Sequence, residues 1–351
     1  MSAAAPMPTL MLVPTGIGCA IGGYAGDALP SARLLAAASG CLITHPNVMN
    51  GATLYWSDPR IHYVEGYGLD RFAAGEWLLR PVRRQRIGLL LDAGIEPELV
   101  QRQIQVAEAC RATLGLEIGP VLSTDAPLGV HLERGASGAS WGSLERPDAL
   151  LRAGERLRTA GATAIAVVAR FPEDPQSAEL AAYREGSGVD ALAGAEAVIS
   201  HLLVRHLQIP CAHAPALGPL PLDPDLDPRA AAEELGYTFL ACVLVGLSRA
   251  PDLVPAGQSM VEGNGLCADQ LGAVVVPEGA LGGEALLAAV ARDVPVIAVA
   301  NPSLLAVTPE ALGLAEVVLP ASSYSEAAGL VLALREGLAP ASLQRPLPRL
   351  R

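Results

Sequence analysis

Residues 9–44 read TLMLVPTGIGCAIGGYAGDALPSARLLAAASGCLIT, and this stretch decides the fold class. The aliphatic run at 9–13 predicts a strand, and the glycine-rich turn after it leads into an alanine-rich helix at about 27–39. A second aliphatic run at 41–44 predicts the next strand. A strand, a helix and a strand in this order are typical of a parallel βαβ unit.

The same alternation continues along the chain. Further aliphatic runs predict strands between helical stretches, at 87–91, 164–169, 209–212, 274–276, 294–300 and 315–319. We therefore predict an α/β fold of mainly parallel, Rossmann-like sheets in two lobes, with a cleft at the carboxyl ends of the strands. The 351 residues are about twice a usual domain length. We place the lobes at 1–129 and 130–338, followed by a proline-rich tail at 339–351.

Composition excludes several classes of function. All 24 residues counted as Lys+Arg are arginine, so the chain has no lysine to anchor pyridoxal phosphate or to bind phosphate in a Walker motif. The formal net charge of −12 argues against a nucleic-acid partner. The dinucleotide fingerprint loses its third glycine after Gly16 and Gly18, which excludes a standard nicotinamide site. We expect no cofactor.

Cysteine usage and the N-terminus predict a location. The six cysteines are scattered without a CxxC pair, a pattern typical of reduced, cytoplasmic proteins. The first twelve residues have no cation and no sustained apolar run, and no apolar run reaches the roughly 20 residues of a membrane span. We therefore expect a cytoplasmic protein without a membrane partner. The sequence leaves a homo-oligomer open.

The glycine-rich turn is the first candidate site. Glycines let backbone N–H groups approach an anion, and a following helix N-terminus adds partial positive charge. We expect this turn to bind a carboxylate or phosphate through Thr15, Gly16, Gly18, Gly22 and Gly23. The alternative is a tight turn that only allows close helix packing.

Polar residues after the second strand form another candidate site. Asn47 and Asn50 are suited to orient a carbonyl or hydroxyl group, while His45 can transfer a proton near neutral pH. Glu65 follows in a glycine-rich stretch, and we expect it to orient or pair with a catalytic histidine. Asp70 is predicted to be the N-cap of a short helix that begins at residue 71.

The helix-to-strand segment ending at His213 holds three of the six histidines. His201 is the other predicted proton-transfer residue, and Glu196 and Ser200 are predicted to bind the ligand. A weaker alternative is a zinc site of His201, Cys211 and His213, because Cys211 and His213 share one face of a strand. Their spacing matches no standard zinc site, so no metal is assigned.

Three further polar turns add candidates. Ser140 lies in a Gly/Ala/Ser stretch that predicts a mobile substrate-gripping loop, and Asn301 follows a predicted strand. Ser322 and Ser323 precede a helix, where a capping box with Glu326 competes with ligand binding.

Several of these stretches resemble an uncharacterised family, domain of unknown function 3326. They are VPTG at 13–16, GGYAGDA at 22–28, ITHPN at 43–47, VEGYGLD at 64–70, EAVISH at 196–201 and IPCAHAP at 209–215. The resemblance extends to about Gly337 and implies a stand-alone cytosolic protein. It implies no reaction and no residue roles.

Three hypotheses follow for function. The first is an enzyme that acts on a small anionic metabolite, bearing a carboxylate or phosphate, through His45 or His201 with Glu65; isomerisation, lyase chemistry and hydrolysis remain open. The second is a non-catalytic protein that binds a small metabolite in the same cleft. The third is a metal-dependent hydrolase centred on His201, Cys211 and His213. All three require distant polar turns to converge on one pocket.

Overall fold

The computed structural model describes residues 5–24, 26–51, 58–234, 238–257, 265–343, 345–347 and 349. Within this part of the chain the strands are β1 (Met7–Met11), β2 (Gly40–Thr44), β3 (Ile61–Tyr63), β4 (Trp77–Arg80), β5 (Ile87–Leu91), β6 (Ile118–Ser123), β7 (Val130–Arg134), β8 (Ser140–Leu144), β9 (Ala164–Arg170), β10 (Cys211–Ala216), β11 (Asp252–Pro255), β12 (Ala273–Pro277), β13 (Val296–Val299) and β14 (Val318–Ala321). The helices are α1 (Leu29–Ser39), α2 (Pro46–Met49), α3 (Gly66–Ala73), α4 (Pro97–Leu114), α5 (Pro147–Thr159), α6 (Ala178–Arg184), α7 (Ala193–Leu207), α8 (Ala231–Glu234), α9 (Thr238–Leu247), α10 (Glu284–Val290) and α11 (Tyr324–Arg335).

Two parallel sheets form the framework. The first has six strands in the order β14-β13-β12-β1-β2-β3, and the second has four in the order β10-β9-β5-β6. Every neighbouring pair within these two sheets is parallel. Counted among its own strands, the first sheet has the order 3-2-1-4-5-6 of a Rossmann fold. The predicted α/β fold class with mainly parallel sheets is confirmed.

The strands of these sheets are apolar because both of their faces are covered. β5 reads IGLLL and β12 reads AVVVP, and every residue of both strands is buried. In β1, Leu10 and Met11 belong to different hydrophobic clusters, and so do Leu42 and Ile43 of β2. Successive side chains of a strand point to opposite faces, so the first sheet packs into a core on each side.

The two sheets divide the chain differently from the predicted lobes. The first sheet takes three strands from the N-terminal part of the chain and three from the C-terminal part, because β1 pairs with both β2 and β12. The second sheet uses residues between 87 and 216, so it is inserted between β3 and β12. A boundary near Gly129 therefore falls inside the inserted part. Hydrophobic periodicity predicts a strand but not its partner, which is why the sequence missed this arrangement.

The stretch predicted to be a mobile loop around Ser140 is a hairpin instead. β7 and β8 pair antiparallel, with Arg134 opposite Ser140, and the turn between them contains Gly135 and Gly138. Glycine and serine weaken the strand pattern in the sequence, but the ladder of backbone hydrogen bonds forms regardless of these side chains.

Candidate functional site

A cavity of about 240 Å³ lies where the carboxyl ends of β1, β2 and β3 face α7 and β10. Its polar lining residues come from distant parts of the chain and include three of the six histidines and four carboxyl side chains; they are Thr15, His45, Asn47, Asn50, Glu65, Asp70, Asp190, Glu196, Ser200, His201 and His213. Parallel strands gather the residues that follow them at one edge of a sheet, so loops far apart in sequence meet here.

Glu65 has two roles at the start of α3. It is the N-cap residue, where its Oε2 accepts a hydrogen bond from the backbone N–H of Tyr67 at 2.8 Å. Its Oε1 lies 2.5 Å from Nδ1 of His201. Because Glu65 occupies the N-cap, Asp70 lies inside α3, and the prediction that Asp70 caps this helix is wrong. Oδ1 of Asp70 instead accepts a hydrogen bond from the N–H of Ala285 in the first turn of α10.

The proton on the imidazole of His201 can be placed from its neighbours. Nδ1 contacts the Glu65 carboxylate and also lies 2.8 Å from the backbone oxygen of Ala197, one turn earlier in α7. Both neighbours are acceptors, so Nδ1 carries a hydrogen, and Nε2 is the atom left to exchange a proton. Gly66 keeps space free beside the ring, because a Cβ there would lie only 3.0 Å from Cε1 of His201.

His45 and His201 have pKa values displaced in opposite directions. Burial alone would lower the pKa of His201, but the hydrogen bond and charge of Glu65 outweigh it and raise this pKa above its ordinary value. Burial, together with the charge of His201, lowers the pKa of His45 to about 4. Nε2 of His45 accepts a hydrogen bond from the N–H of Val13 at 2.9 Å, so its neutral ring carries the hydrogen on Nδ1.

Four more polar side chains form a second group in the cavity. The hydroxyl of Ser200 is hydrogen-bonded to Nδ1 of His213, and Nε2 of His213 lies 3.5 Å from Oε2 of Glu196. Asp190 precedes α7, and its Oδ1 accepts a hydrogen bond from the N–H of Leu192 at 2.8 Å. Burial and the neighbouring charge of Glu196 raise the pKa of Asp190 to about 7.

Asp190 is the residue of this site that sequence reasoning missed. An acid just before an alanine-rich helix is the ordinary signature of a helix cap, and the side chain does bind a backbone N–H there. Asp190 differs from an ordinary capping acid only in its surroundings, because the fold brings it within reach of the charges of Glu196 and His213.

The glycine-rich turn is occupied largely by the protein's own groups. The N–H of Ala20 donates to the backbone oxygen of Pro302, the N–H of Ile21 to Oδ1 of Asn301, and the N–H of Gly22 to Oδ1 of Asp27. The carboxylate at the Gly22 amide is therefore that of Asp27, whose pKa is raised by burial to about 6.

Of the five turn residues predicted to bind an anion, Thr15 lies in the cavity lining that the structure describes and the four glycines lie outside it. All four glycines are closely packed, and Gly16 and Gly22 illustrate this. Gly16 has a φ of +73° and touches Ser140, where a Cβ would collide with the serine hydroxyl; Gly22 has a φ of +88° and packs on Val13 in the same way. These positions fit the alternative of a tight, closely packed turn.

The predicted asparagines hold the backbone. Nδ2 of Asn47 donates to the carbonyl oxygens of Val13 and Gly22, each at 2.9 Å, and Nδ2 of the buried Asn301 donates to that of Ile21. Asn47 and Asn301 therefore fix the glycine-rich turn from two sides. Asn47 also lines the cavity, as does Asn50, whose Oδ1 accepts a hydrogen bond from the hydroxyl of Tyr63. Asn301 lies outside the described lining.

The three remaining predicted serines lie outside the described cavity lining and form hydrogen bonds at helix N-termini. Oγ of Ser140 accepts from the N–H of Gly194 in the first turn of α7. Oγ of Ser323 accepts from the N–H of Glu326, whose carboxylate accepts in return from Ser322. In a capping box the Glu326 carboxylate would accept from the N–H of the N-cap residue Ser323, but it accepts from Ser322, one residue earlier. The helix therefore has the predicted serine N-cap without the full capping box.

The zinc alternative finds no support in the geometry. The thiol of Cys211 is buried in a hydrophobic cluster and donates to the backbone oxygen of Ile209, and burial raises its pKa well above the ordinary value. His201 and His213 line the cavity, but Cys211 does not join them in the described lining. In the described ranges, no group of three or more His, Cys, Asp or Glu side chains is arranged to hold a metal ion.

Comparison with a known relative corrects the predicted location. A protein of Synechococcus sp., described as an uncharacterized lipoprotein, is 57% identical over 338 residues, which cover 96% of this chain and 93% of the relative. This name overturns the expectation of a cytoplasmic protein, including the cytosolic location that the family resemblance implied.

The cysteine pattern gave a wrong prediction of the location, because these thiols are protected by burial and do not depend on a reducing compartment. Five of the six cysteines are buried, and burial raises the pKa of Cys19 to about 12 and that of Cys41 to about 11. Such thiols are unreactive in either redox environment.

No helix in the described part of the chain combines the length and apolar character needed to cross a bilayer.

One protein family matches nearly the whole chain. It is described as a protein of unknown function, DUF3326, and its model matches residues 8–344. Together with the close relative, this match shows that the chain belongs to the DUF3326 family.

Proposed function

We propose that this protein is an enzyme that acts on a small metabolite by histidine-assisted proton transfer. The observation that carries the proposal is that His45 and His201 line one cavity with pKa values displaced in opposite directions. Enzymes assign acid and base roles by separating the pKa values of neighbouring groups in this way. Neither pyridoxal phosphate nor a nicotinamide is needed for such a reaction.

Each histidine has a defined role. The raised pKa of His201 favours its imidazolium form, which donates a proton from Nε2 because Nδ1 is held by Glu65 and Ala197. His45 is neutral and donates a hydrogen bond from Nδ1 to a substrate oxygen, because Nε2 is occupied by the N–H of Val13. Glu65 touches no substrate in this scheme; it is a positioning residue that holds the charge and orientation of His201.

The cavity favours a small substrate. Its volume of about 240 Å³ lies below the roughly 300–1,000 Å³ of pockets for drug-sized ligands. The imidazolium of His201 supplies the positive charge for the carboxylate or phosphate of an anionic substrate. The described lining contains no arginine and has four carboxyl side chains. We therefore propose that the charge of His201 attracts an anionic substrate into the cavity, with the reacting oxygen at Nε2, and that the glycine-rich turn does not bind the anionic group.

Isotope incorporation from solvent tests the proposal on many small compounds at once. It detects exchange of a carbon-bound hydrogen in D₂O and exchange of an oxygen in H₂¹⁸O. The protein is incubated with a panel of hydroxy acids, keto acids, sugars and their phosphate esters, in D₂O and separately in H₂¹⁸O, and each compound is weighed by mass spectrometry. We expect at least one compound to gain mass with the wild-type protein. His201→Gln should slow this reaction by roughly 100-fold or more, since it removes the acid.

His206→Gln is the matched control. His206 lies on the same helix and also contacts a glutamate, Glu155, at 2.7 Å, but that pair is exposed. Its removal should leave the rate unchanged. Binding of a panel compound without any mass gain would instead identify a non-catalytic binding protein. Equal rates for His201→Gln and His206→Gln would contradict the proposal.

A further inference from the structure

We infer that the cavity contains a second acid–base cluster, formed by Asp190, Glu196, Ser200 and His213, and that the reaction is the isomerisation of a small α-hydroxy carbonyl compound. This inference rests on the proposed function and specifies its substrate class. It assigns the transfer of the carbon-bound proton to Asp190, a residue that sequence reasoning missed.

The second acid–base cluster is centred on the imidazole of His213. Glu196 and Ser200 lie one turn apart on the same face of α7, and both contact the ring of His213 on β10. The side chains of His213 and Glu196 are only 12% and 15% exposed, and Ser200 is buried. Asp190 faces the same cavity and is close enough to Glu196 and His213 to feel both charges.

Structural stability does not account for this arrangement. Two carboxyl groups in a poorly solvated place repel each other, and burial together with the charge of Glu196 raises the pKa of Asp190. The described lining offers no arginine to neutralise them, and the side chain whose charge offsets that of Asp190 is the imidazole of His213. Acids that are held near one another at such a cost are typical of catalytic sites.

The second acid–base cluster reaches the cavity from another side than the Glu65–His201 pair. Ser200 and His201 are consecutive residues of α7, and consecutive helical side chains point about 100° apart. His201 turns toward Glu65 at the start of α3, whereas Ser200 turns toward His213 on β10. A substrate between them therefore meets an acid at one position and a base at another.

An aldose–ketose type of isomerisation uses both groups and balances without a co-reactant. The C–H bond next to the carbonyl breaks, its proton passes to the Asp190 carboxylate, and its electron pair forms the C=C bond of an enediol. The carbonyl oxygen takes a proton from His201. In the second half, the neighbouring hydroxyl returns a proton to His201 as its C=O bond forms, and Asp190 returns its proton to the former carbonyl carbon.

This assignment favours isomerisation over the other two reaction classes. The same carboxyl group must accept a proton and then return it, which is easiest when its pKa lies near the working pH. Asp190, with a pKa of about 7, meets this requirement. Hydrolysis and elimination require no return of a proton to carbon.

The test uses dihydroxyacetone, glyceraldehyde, their phosphate esters and ribose 5-phosphate as probes in D₂O. We expect the wild-type protein to convert at least one of them into an isomer with one carbon-bound deuterium. Asp190→Asn should slow both isomerisation and deuterium uptake by roughly 100-fold or more. Asp174→Asn is the matched control, because exposed Asp174 makes the same side-chain bond to the amide two residues later; this variant should keep the wild-type rate.

The outcomes separate this inference from the proposed function. If Asp190→Asn converts the probe at the wild-type rate while His201→Gln does not, the second acid–base cluster is not catalytic and the proposed function stands. Loss of water from the probe, or no conversion of any probe by the wild-type protein, overturns the isomerisation. If His201→Gln also converts the probe normally, the proposed function fails as well.

A measurement without substrate covers the case in which Asp190→Asn does not fold. Carbon-13 NMR of the aspartate side-chain carboxyls should show Asp190 titrating near pH 7 in the wild-type protein. Glu196→Gln should move this titration to lower pH, because it removes the neighbouring negative charge. An Asp190 carboxyl that titrates near pH 4 in the wild-type protein would overturn the inference.

Discussion

Helix α7 carries two histidine–glutamate pairs that look alike and differ in one respect. Nδ1 of His201 lies 2.5 Å from Glu65, and Nε2 of His206 lies 2.7 Å from Glu155. The two imidazoles are about equally exposed, at 42% and 41%, but the carboxylate of Glu65 is 5% exposed and that of Glu155 is 50% exposed. The two pairs therefore differ in the burial of the glutamate and not in the distance between the two side chains.

The comparison shows how the fold makes a reactive histidine from an ordinary one. Water and salt screen an exposed carboxylate, so its attraction for an imidazolium is weak. Glu65 is removed from water by α3 and the cavity wall, and its N-cap bond to Tyr67 fixes its position. Its charge therefore acts on His201 through a medium of lower dielectric constant and keeps the proton on the ring.

The largest expected effect is the loss of turnover when the charge of Glu65 is removed. Glu65→Gln keeps the size of the side chain but removes the charge that raises the pKa of His201. We expect this variant to lose about 10²–10⁴-fold in turnover, the usual contribution of a general acid. Turnover is measured as mass gain in the isotope assay. Glu155→Gln is the control and should keep the wild-type rate; equal losses in both variants would remove the distinction between the two pairs.

His45 extends the comparison to a cavity histidine for which no carboxylate partner is found among the described residues. Its pKa is about 4 in the folded protein against an ordinary 6.5, so between these values the unfolded chain binds more protons. The free energy of unfolding therefore falls as the pH is lowered from 6.5 to 4, by about 3 kcal/mol from this residue. His45→Gln should lack this loss. Urea unfolding of both proteins at pH 7 and pH 4.5 measures it, and parallel losses would contradict the assignment.

Much of the fold could be predicted from local signals. Strand β5 has the bounds predicted for it, because a continuous apolar run marks it. Helix α4 is marked just as plainly, because Pro97 begins it and Gly115 ends it. Short or polar strands such as β3 and β8 have no such pattern. The insertion of the second sheet depends on pairing between β1 and β12, which no local signal reports.

The residues of the candidate site also divide into those that local sequence signals predict and those that depend on the fold. His45, Glu65 and His201 were predicted because a polar residue at the end of a strand or within an apolar helix is conspicuous. The sequence could not show that Asp27 and Asn301 bond to amides of the glycine-rich turn, so that turn was given too large a role. Charge cooperation between residues such as Asp190 and Glu196 depends on distances that only the fold sets.

A smaller effect concerns the stability of the cavity pair and its dependence on pH. The pKa of His201 is raised in the folded protein, so the pair stabilises the fold fully below pH 6.5, and this contribution disappears as the pH rises through the folded value. Because the imidazole is 42% exposed, we expect only about 1 kcal/mol. Glu65→Gln should therefore destabilise the protein more at pH 6 than at pH 9 in urea unfolding. An equal effect at both values would mean that the pair contributes no charge interaction.

The smallest expected effect is at the surface pair, and it sets the baseline for the others. A double-mutant cycle of His206→Gln and Glu155→Gln should give a coupling of about 0.2–1 kcal/mol at pH 6, the range of exposed ion pairs. Raising the salt concentration from 0.05 to 1 M shortens the screening length several-fold, so this coupling should largely vanish. The same cycle for His201 and Glu65 should keep most of its coupling, because Glu65 is shielded from solvent ions. If salt removes both couplings equally, burial of the carboxylate does not distinguish the two pairs, and the acid role of His201 loses its physical basis.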